Sequence, residues 1–487
     1  MKIPFSFIDL LRVSPLIVLF LVSLIPITLK VFNGNKEPDR RLTLVWGLLG
    51  ILSSMFLLVF FSGTSGSAFS DSMMFDGTTL WAGLIGLMAV AVSMILMFEN
   101  PSTVGNQFSE LMFLTLSSAT GMLILVAATD LLVVFVGLEA MSLPLYLMIG
   151  MSNEQRLSKE SALKYFVLGS FASAIFLYGI ALVFGSAGTT NILQLKDLAG
   201  ELMDSHKMFL FGITMLIIGF CFKVSIAPFH AWTPDVYEGA PTPHTAFMAT
   251  AVKAISFAAF LRTIGVHTLG PDASNNLFVV LQVLAMATML VGNGAAILQD
   301  NLKRMIAYSS IAHSGYLLVG VIAAGVSAKG SFGASGVIFY LFAYSLMTLG
   351  ALAVLSMLEQ SENSTISVED LGGLSRKHPV LSVALVIFLL SLAGIPPTLG
   401  FFGKFYLFTA ALEEGLVPLT IWAVINSVIS VFYYLRPIVV MYMKEGSAQM
   451  PRPMGATGLL TVILAALIVI LGFVSGPIFE AVERSLF

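Results

Sequence analysis

Six ionisable side chains lie within long apolar stretches of this 487-residue chain. A charged group at the centre of a membrane-spanning helix costs about 2.5–3.5 kcal/mol on insertion scales, and such groups often mark proton or ion pathways. One carboxylate cannot neutralise four lysines, so we expect proton exchange among these groups as one coupled set. The six candidate site residues are Glu139, Lys164, Lys223, Lys253, His313 and Lys404.

Each of these residues also has a simpler interpretation. A buried glutamate or lysine can join two helices by hydrogen bonds alone, and His313 can be a packing residue of the core. Lys164 can extend its amine to the membrane surface along an apolar stem. Arg262 and Arg436 lie near the ends of apolar stretches, and this surface-directed role suits them better than proton transfer.

A second group of polar residues invites a metal interpretation. His230 and His244 flank Asp235 and Glu238, but their spacings do not suit a compact site on one helix, and three prolines intervene. The single cysteine cannot hold an iron–sulfur cluster, which needs about four thiolates. We therefore predict no metal, no redox centre and no bound cofactor in this chain.

The composition restricts the class of protein. Hydrophobic residues make up 57% of the chain and charged residues only 10%, with a mean hydropathy of +0.94. An average soluble chain carries roughly 25% charged residues, so a water-soluble globule is excluded. The net charge of −3 gives no indication of nucleic-acid binding. No P-loop motif is present, which makes direct nucleotide hydrolysis improbable.

Apolar stretches of about 20 residues predict membrane-spanning helices. Basic residues are about twice as frequent in the loops after odd-numbered spans, which predicts both termini on the non-cytoplasmic side of the cell inner membrane. The first stretch follows Lys2 and Arg12 like a signal peptide, but no cleavage site follows, so we interpret it as an uncleaved span. The fourteen predicted spans are 13–32, 42–61, 78–98, 108–127, 130–150, 160–185, 207–240, 242–265, 276–297, 303–325, 331–358, 380–412, 416–443 and 455–475.

Two of the predicted spans are too long for simple helices. Segment 207–240 would run about 51 Å as one helix, against a hydrocarbon core of about 30 Å. It contains Pro228 and Pro234, and segment 380–412 is interrupted at 394–397, Gly-Ile-Pro-Pro. A mere kink is the simpler alternative, but a lysine lies beside each interruption. We therefore predict two broken helices that face internal polar cavities.

The positions of the broken helices predict an internal repeat. Lys223 precedes its break and Lys404 follows the other, and we interpret this reversal as a sign of inverted repeats. The predicted fold is an all-α polytopic membrane protein with two inverted five-helix repeats, helices 4–8 and 9–13. The predicted units are an N-terminal three-helix segment (1–105), the first repeat (106–268), the second repeat (269–445) and a C-terminal helix (446–487).

Three motifs give the chain a resemblance to a known family. Residues 223–243 read KVSIAPFHAWTPDVYEGAPTP, residues 301–316 read NLKRMIAYSSIAHSGY, and residues 394–405 read GIPPTLGFFGKF. These segments resemble the antiporter-like membrane subunits of respiratory complex I, the proton-translocating NADH–quinone oxidoreductase. Lys404 stands where an M-type subunit has glutamate, and no long lateral helix of the L type follows the last span. The resemblance is therefore to the subunit N family.

The resemblance implies a role for each candidate residue. Glu139 and Lys223 would form a gating ion pair, and Lys164 would tune it. Lys253 would be the central relay, with His313 as a bridging group. Lys404 would be the terminal site that passes a proton outward. The chain would thus move protons, driven by redox chemistry in other subunits.

The resemblance also implies partners. NADH, FMN, iron–sulfur clusters and quinone are expected in partner subunits. The neighbours would be subunit M, the small subunits A, J and K, the lateral helix of subunit L, and membrane lipids. Three alternatives stay open at this point: a cation/proton antiporter subunit, a membrane subunit of a hydrogenase or formate-linked complex, and a purely structural membrane scaffold.

Overall fold

The computed structural model describes residues 6–64, 66–103, 107–151, 156–266, 275–327, 331–359, 365–446 and 455–486. Helices dominate these residues, and one short antiparallel hairpin pairs β1 (Gly66–Ala68) with β2 (Met73–Phe75). The α-helices are α1 (Phe7–Ser23), α2 (Ile25–Phe32), α3 (Arg40–Phe60), α4 (Gly77–Glu99), α5 (Phe108–Ala127), α6 (Leu131–Gly150), α7 (Arg156–Ala187), α8 (Ile192–Ser205), α9 (Lys207–Lys223), α10 (Trp232–Gly239), α11 (Thr242–Phe247), α12 (Lys253–Phe260), α13 (Asn275–Ile297), α14 (Leu302–Val326), α15 (Ser331–Leu358), α16 (Leu374–Lys377), α17 (Pro379–Ala393), α18 (Leu399–Glu413), α19 (Val417–Met443), α20 (Ala456–Phe473) and α21 (Ser475–Leu486). Short 3-10 helices cover Ser62–Thr64, Pro101–Thr103 and Glu369–Leu371, and π-helical turns cover Met248–Val252 and Leu261–Val266.

Twelve helical stretches of the described residues are long and apolar enough to span a membrane. They comprise α1–α2, α3 to α7, the segment from α11 through α12, α13 to α15, α19 and α20. The chain is thus a polytopic, mainly α-helical membrane protein, as predicted. The two remaining predicted spans, 207–240 and 380–412, are each divided into two shorter helices, α9 with α10 and α17 with α18.

The centre of the molecule is formed by three spans that other helices enclose almost completely. These are the segment from α11 through α12, together with α14 and α15. They carry Lys253, His313 and two buried tyrosines, Tyr340 and Tyr344. Because such spans have almost no contact with lipid, their polar groups must be satisfied by other protein groups or by water.

Both predicted breaks are present. The first lies between Lys223 and Trp232 and contains Pro228. Pro234 does not break a helix, because it lies in the first turn of α10, where a backbone N–H has no partner within the helix. The second break lies between Ala393 and Leu399, at the predicted Gly-Ile-Pro-Pro sequence.

The two breaks have the same backbone arrangement, 169 residues apart. Each begins with a residue of left-handed conformation, Ser225 (φ 61°) or Gly394 (φ 84°). The next residue, Ile226 or Ile395, donates its N–H to the carbonyl five residues earlier, over 2.8 and 3.0 Å. Three residues after the left-handed residue, each break has a proline that follows a cis peptide bond, Pro228 or Pro397.

The common offset corrects one argument from the sequence. Repeats preserve chain order, so equivalent residues lie on the same side of their breaks. The position equivalent to Lys404 is Asp235, and the position equivalent to Lys223 is Leu392. The placement of one lysine before its break and the other after is therefore no sign of a repeat. The two lysines occupy different positions, and the shared backbone is the informative feature.

A second recurring element lies at the start of α6 and of α14. Asp130 forms an isolated antiparallel bridge with Asn191, and Asn301 forms one with Ser367. Each bridge is closed by two backbone hydrogen bonds of 2.8–2.9 Å. Asp130 and Asn301 also cap their helices, because each side chain accepts a backbone N–H of the first turn. Five predicted spans separate the two starts.

The ends of the described chain lie at the same face as the hairpin. Arg12 of α1 donates to the Ser67 carbonyl of β1 over 2.5 Å, and Trp81 of α4 donates to Ser485 of α21 over 2.6 Å. Helix α21 was not predicted from the sequence. The predicted unit boundaries at 105/106 and 268/269 lie outside the described residues.

Candidate functional site

Lys223 and Glu139 line one small cavity but do not form the expected ion pair. The cavity has a volume of about 20 Å³, enough for about one water molecule. The Lys223 amine donates to the Ser142 hydroxyl over 2.6 Å and to the Tyr165 hydroxyl over 3.2 Å. Glu139 instead accepts a hydrogen bond from Ser173 of α7. The expected pair is therefore not formed in this structure, and Lys223 instead binds Ser142, one helical turn along α6 from Glu139.

Lys164 is not part of this cavity. Its amine forms ion pairs with Glu160 over 2.8 Å and with Asp235 over 3.0 Å, and 42% of the side chain is exposed. Asp235 also pairs with Arg304 of α14 over 3.0 Å. The structure thus places Lys164 in a partly exposed ion-pair network. The residue that follows it, Tyr165, bonds to the Lys223 amine.

Lys253 is bound entirely by uncharged groups at the centre of the molecule. It follows the π-helical turn Met248–Val252, and such turns are frequent at functional sites. Its amine donates to the Ser310 carbonyl over 2.6 Å, to the Ser310 hydroxyl, and to the Ser314 hydroxyl over 3.0 Å. The ring of Tyr344 lies 5.3 Å from the amine.

Ser314 connects the first break to Lys253. Its hydroxyl donates to the carbonyl of Val224, the residue after Lys223, over 2.6 Å, and it accepts from Lys253. The Val224 carbonyl can accept this bond because the helix ends there, so no later N–H of the helix occupies it. Lys223 and Lys253 are 30 residues apart in the sequence, and the Ser314 hydroxyl joins the backbone beside Lys223 to the Lys253 amine.

We expect the Ser314→Ala variant to weaken this connection. The substitution leaves the Val224 carbonyl without its buried donor, at a cost of about 1–3 kcal/mol. The thermal unfolding temperature of the purified protein should fall, and the proton transfer that the sequence resemblance implies should fall severalfold. Ser335→Ala is the matched control, because the buried Ser335 hydroxyl bonds only to Ser331 of its own helix. Equal behaviour of the two variants would contradict the connecting role.

His313 lies one turn along α14 from Ser310 and joins two tyrosines. Its Nδ1 is 2.5 Å from the Tyr340 hydroxyl, and its Nε2 is 3.0 Å from the Tyr434 hydroxyl. The Tyr434 hydroxyl also bonds to Ser309. With both ring nitrogens bonded to hydroxyls, the imidazole can accept a proton on one side and release one on the other.

Lys404 caps the end of the first half of its own broken helix. Its amine donates to the carbonyls of Leu392 and Ala393 over 3.0 and 2.9 Å, and to the Ser427 hydroxyl over 3.0 Å. These carbonyls end α17, where the helix dipole is negative, so a cation is stabilised there. The ring of Tyr316 lies 5.0 Å from the amine.

A polar cluster of α13, α14 and α19 lies between His313 and Lys404. The Asn293 amide donates to the Tyr316 hydroxyl over 3.2 Å and to the Asn426 carbonyl over 3.1 Å. Tyr433, the neighbour of Tyr434, donates to Asn293 over 3.0 Å. The cluster therefore begins beside His313 and ends at the ring above Lys404.

The sequence analysis missed the uncharged members of this site. They were detectable as serines, tyrosines and asparagines inside apolar spans, but such residues are common there and most bond within their own helix. The missed residues are Ser142, Tyr165, Ser173, Asn293, Ser310, Ser314, Tyr316, Tyr340, Tyr344, Ser427 and Tyr434.

Two arginines complete the account of the charged residues. Arg262 is buried and pairs with Asp76 over 2.5 Å, so its predicted surface-directed role is wrong. Arg436 binds Asp300 and the Gln299 carbonyl near the surface, in keeping with its prediction. Within the described ranges, no cluster of three or more histidine, cysteine or acidic residues could hold a metal ion.

The spans, the two broken helices and the buried polar chain define an antiporter-like membrane protein. Residues 128–430 match the family described as NADH:quinone oxidoreductase/Mrp antiporter, transmembrane. The chain is 62% identical to NADH-quinone oxidoreductase subunit N of Bdellovibrio bacteriovorus over 487 residues, the full length of both proteins. It is 41% identical to subunit N of Trichlorobacter lovleyi, covering 91% of this chain and 90% of that protein.

Solved structures show the same fold. A chain of respiratory complex I from Thermus thermophilus superposes with a TM-score of 0.81 at 31% identity, covering 96% of this chain and 99% of that one. A chain of the Mrp complex from Dietzia gives a TM-score of 0.86 at 19% identity, covering 99% of this chain and 97% of that one, which shows the fold alone. The chain belongs to the subunit N family of NADH-quinone oxidoreductases, and it is an antiporter-like membrane subunit of that enzyme.

Proposed function

We propose that this chain translocates protons through the buried relay of Glu139, Lys223, Lys253, His313 and Lys404. The observation that carries the proposal is the environment of the three lysines. In the described part of the chain, none of these amines has a carboxylate within 4.0 Å, and hydroxyls and carbonyls bind all three. Serine and tyrosine hydroxyls can bond to a lysine with or without its extra proton.

The absence of a fixed counter-charge gives the relay its chemistry. A buried ammonium that is paired with a carboxylate holds its proton, because releasing the proton would break the ion pair. An ammonium that is bound by neutral groups can release its proton without breaking such a pair. A proton would pass from Lys223 toward Lys253 by way of water beside Ser314, which binds the Lys253 amine. It would pass from His313 toward Lys404 by way of water beside the tyrosine and asparagine cluster. Water in the small cavities would complete the links.

The first step of the cycle is proposed at Glu139. It lies three residues from Ser142 on α6, so both side chains point to the same face of the helix. A movement of α7 that removes the Ser173 hydrogen bond would free Glu139 to approach Lys223. Closing and opening of this pair would change the charge on Lys223 and start the transfer. Lys164 would act from the surface, through Asp235.

The architecture supports an inverted repeat. The matching breaks and the matching bridges at α6 and α14 indicate two related units, helices 4–8 and 9–13. Five spans lie between the starts of α6 and α14, so equivalent positions fall on opposite faces of the membrane. The broken helices complete a proposed set of fourteen spans. Both termini, at the hairpin face, would lie outside the cytoplasm of the cell inner membrane.

The driving force would come from other subunits. NADH, FMN, iron–sulfur clusters and quinone would be bound there, and this chain would respond through neighbouring membrane subunits. Those proposed neighbours are subunits M, A, J and K and the lateral helix of subunit L.

Lys223→Ala is the direct test of the proposed function. Proton translocation by the reconstituted complex, measured with a pH-sensitive dye in vesicles, should be lost while the complex remains assembled. Lys207→Ala is the matched control, because Lys207 is an exposed lysine at the start of the same helix, α9. Unchanged translocation in Lys223→Ala would overturn the proposal, and sodium-dependent translocation without NADH would favour an antiporter instead.

A further inference from the structure

A buried ion pair that the relay does not use lies at the end of α15. The Lys303 amine is 3.4 Å from the Glu359 carboxylate, and both side chains are over nine-tenths buried. Glu359 also accepts from the Asn100 amide over 2.9 Å and from the Thr242 hydroxyl, and Lys303 donates to the Ala240 carbonyl over 2.8 Å. The half-buried Arg304 follows Lys303, so the pair lies just beneath that face of the molecule.

His244 lies on α11, two residues after Thr242. It is 2% exposed, and neither of its ring nitrogens has a hydrogen-bond partner among the described residues. Lys303 is close enough to act on the ring electrostatically. Buried polar groups are nearly always hydrogen-bonded. An imidazole with both nitrogens free, beside a buried ion pair, is therefore suited to exchange protons with mobile water.

Tyr237 connects the surroundings of His244 to Lys253. Thr245, the neighbour of His244, donates to the Tyr237 carbonyl over 2.9 Å. The Tyr237 side chain lies near Ser310, which binds the Lys253 amine. His244 and Lys253 are nine residues apart, about 13–14 Å along the helix, which is too far for direct transfer. Tyr237 lies between the surroundings of His244 and those of Lys253, so it covers part of the distance between these two residues.

We propose that protons reach Lys253 from the Arg304 face by way of His244 and Tyr237, past the Glu359–Lys303 pair. The Glu359 carboxylate would attract protons to this entrance and keep its own ion pair with Lys303. His244 takes up a proton at one ring nitrogen and releases the proton of the other nitrogen, so the ring stays neutral after each transfer and exchanges its tautomer. The proposal rests on the proposed function, because its end point is Lys253. It adds an intake route that starts at a face of the molecule.

The test uses His244→Gln and His244→Phe in the reconstituted complex. Glutamine keeps hydrogen-bonding groups but cannot carry a proton, and phenylalanine fills the space of the ring. Both variants should translocate fewer than half as many protons per NADH oxidised, measured with a pH-sensitive dye. His378→Gln is the matched control, since that histidine lies at the start of α17, outside the route. Glu359→Gln should resemble the His244 variants.

Three outcomes decide the matter. Normal translocation in His244→Gln overturns the intake route, whatever the phenylalanine variant does, because it shows a role in packing or hydration only. If Lys253→Met loses translocation while His244→Gln does not, the intake route fails and the relay stands. If both variants translocate normally, the proposed function fails as well. Should phenylalanine prevent assembly, glutamine alone gives the answer.

Discussion

Replacing Lys253 by methionine should lower proton translocation at least tenfold. Methionine has a similar length and keeps the apolar contacts of a side chain that is almost fully buried. It removes the amine, which is the group that we propose gains and loses a proton at this point of the relay. Tenfold corresponds to about 1.4 kcal/mol in the barrier for transfer, a modest requirement for losing a relay group.

The measurement is the initial rate of proton accumulation in vesicles, normalised to the amount of assembled complex. NADH oxidation with a soluble electron acceptor should be unchanged, because we propose that NADH and the redox centres are bound by other subunits. Lys196→Met is a suitable control, since Lys196 is an exposed lysine of α8. If Lys253→Met translocates protons at the rate of the control, Lys253 is only a structural residue.

Lys404→Arg should separate the structural role of Lys404 from its role in the relay. Arginine keeps a cation and several N–H donors for the carbonyls that end α17, but it does not release its proton in proteins. We therefore expect an assembled complex of nearly normal thermal stability in which translocation is at least tenfold lower. Lys404→Met should lose both properties, because it leaves the Leu392 and Ala393 carbonyls without their donor.

The comparison of these two variants is the informative measurement. Thermal unfolding of the purified complex reports the capping role, and dye-monitored translocation reports proton transfer. If arginine supports normal translocation, the amine need not be deprotonated during turnover, and Lys404 is only the cap of a broken helix.

The sequence predicted the breaks because proline and glycine act locally. Pro228 removes a helix hydrogen bond and Gly394 adopts a left-handed conformation, and the ionisable residues stand out against apolar neighbours. Each of the central lysines was found in this way. Pro234 shows the limit of the rule, because a proline in the first turn of a helix breaks nothing, and a helix start cannot be located to the residue from the sequence.

The contacts among the site residues could not be predicted in the same way. Lys223 binds Ser142, 81 residues earlier, and Lys253 binds Ser310, 57 residues later. These pairings depend on how the spans pack, which composition and periodicity do not determine. For the same reason the sequence could not show that Lys164 binds Asp235 at the surface, or that Arg262 is buried against Asp76.

The equivalence of Asp235 and Lys404 has a consequence for the direction of transport. Two identical halves related by a rotation would give a moving charge the same path in either direction. Here the same backbone position carries an anion held by Lys164 and Arg304 in one half, and a buried cation in the other. At this position the two proposed repeats would share a backbone conformation and carry opposite charges, so a one-way current would need no difference between their backbones.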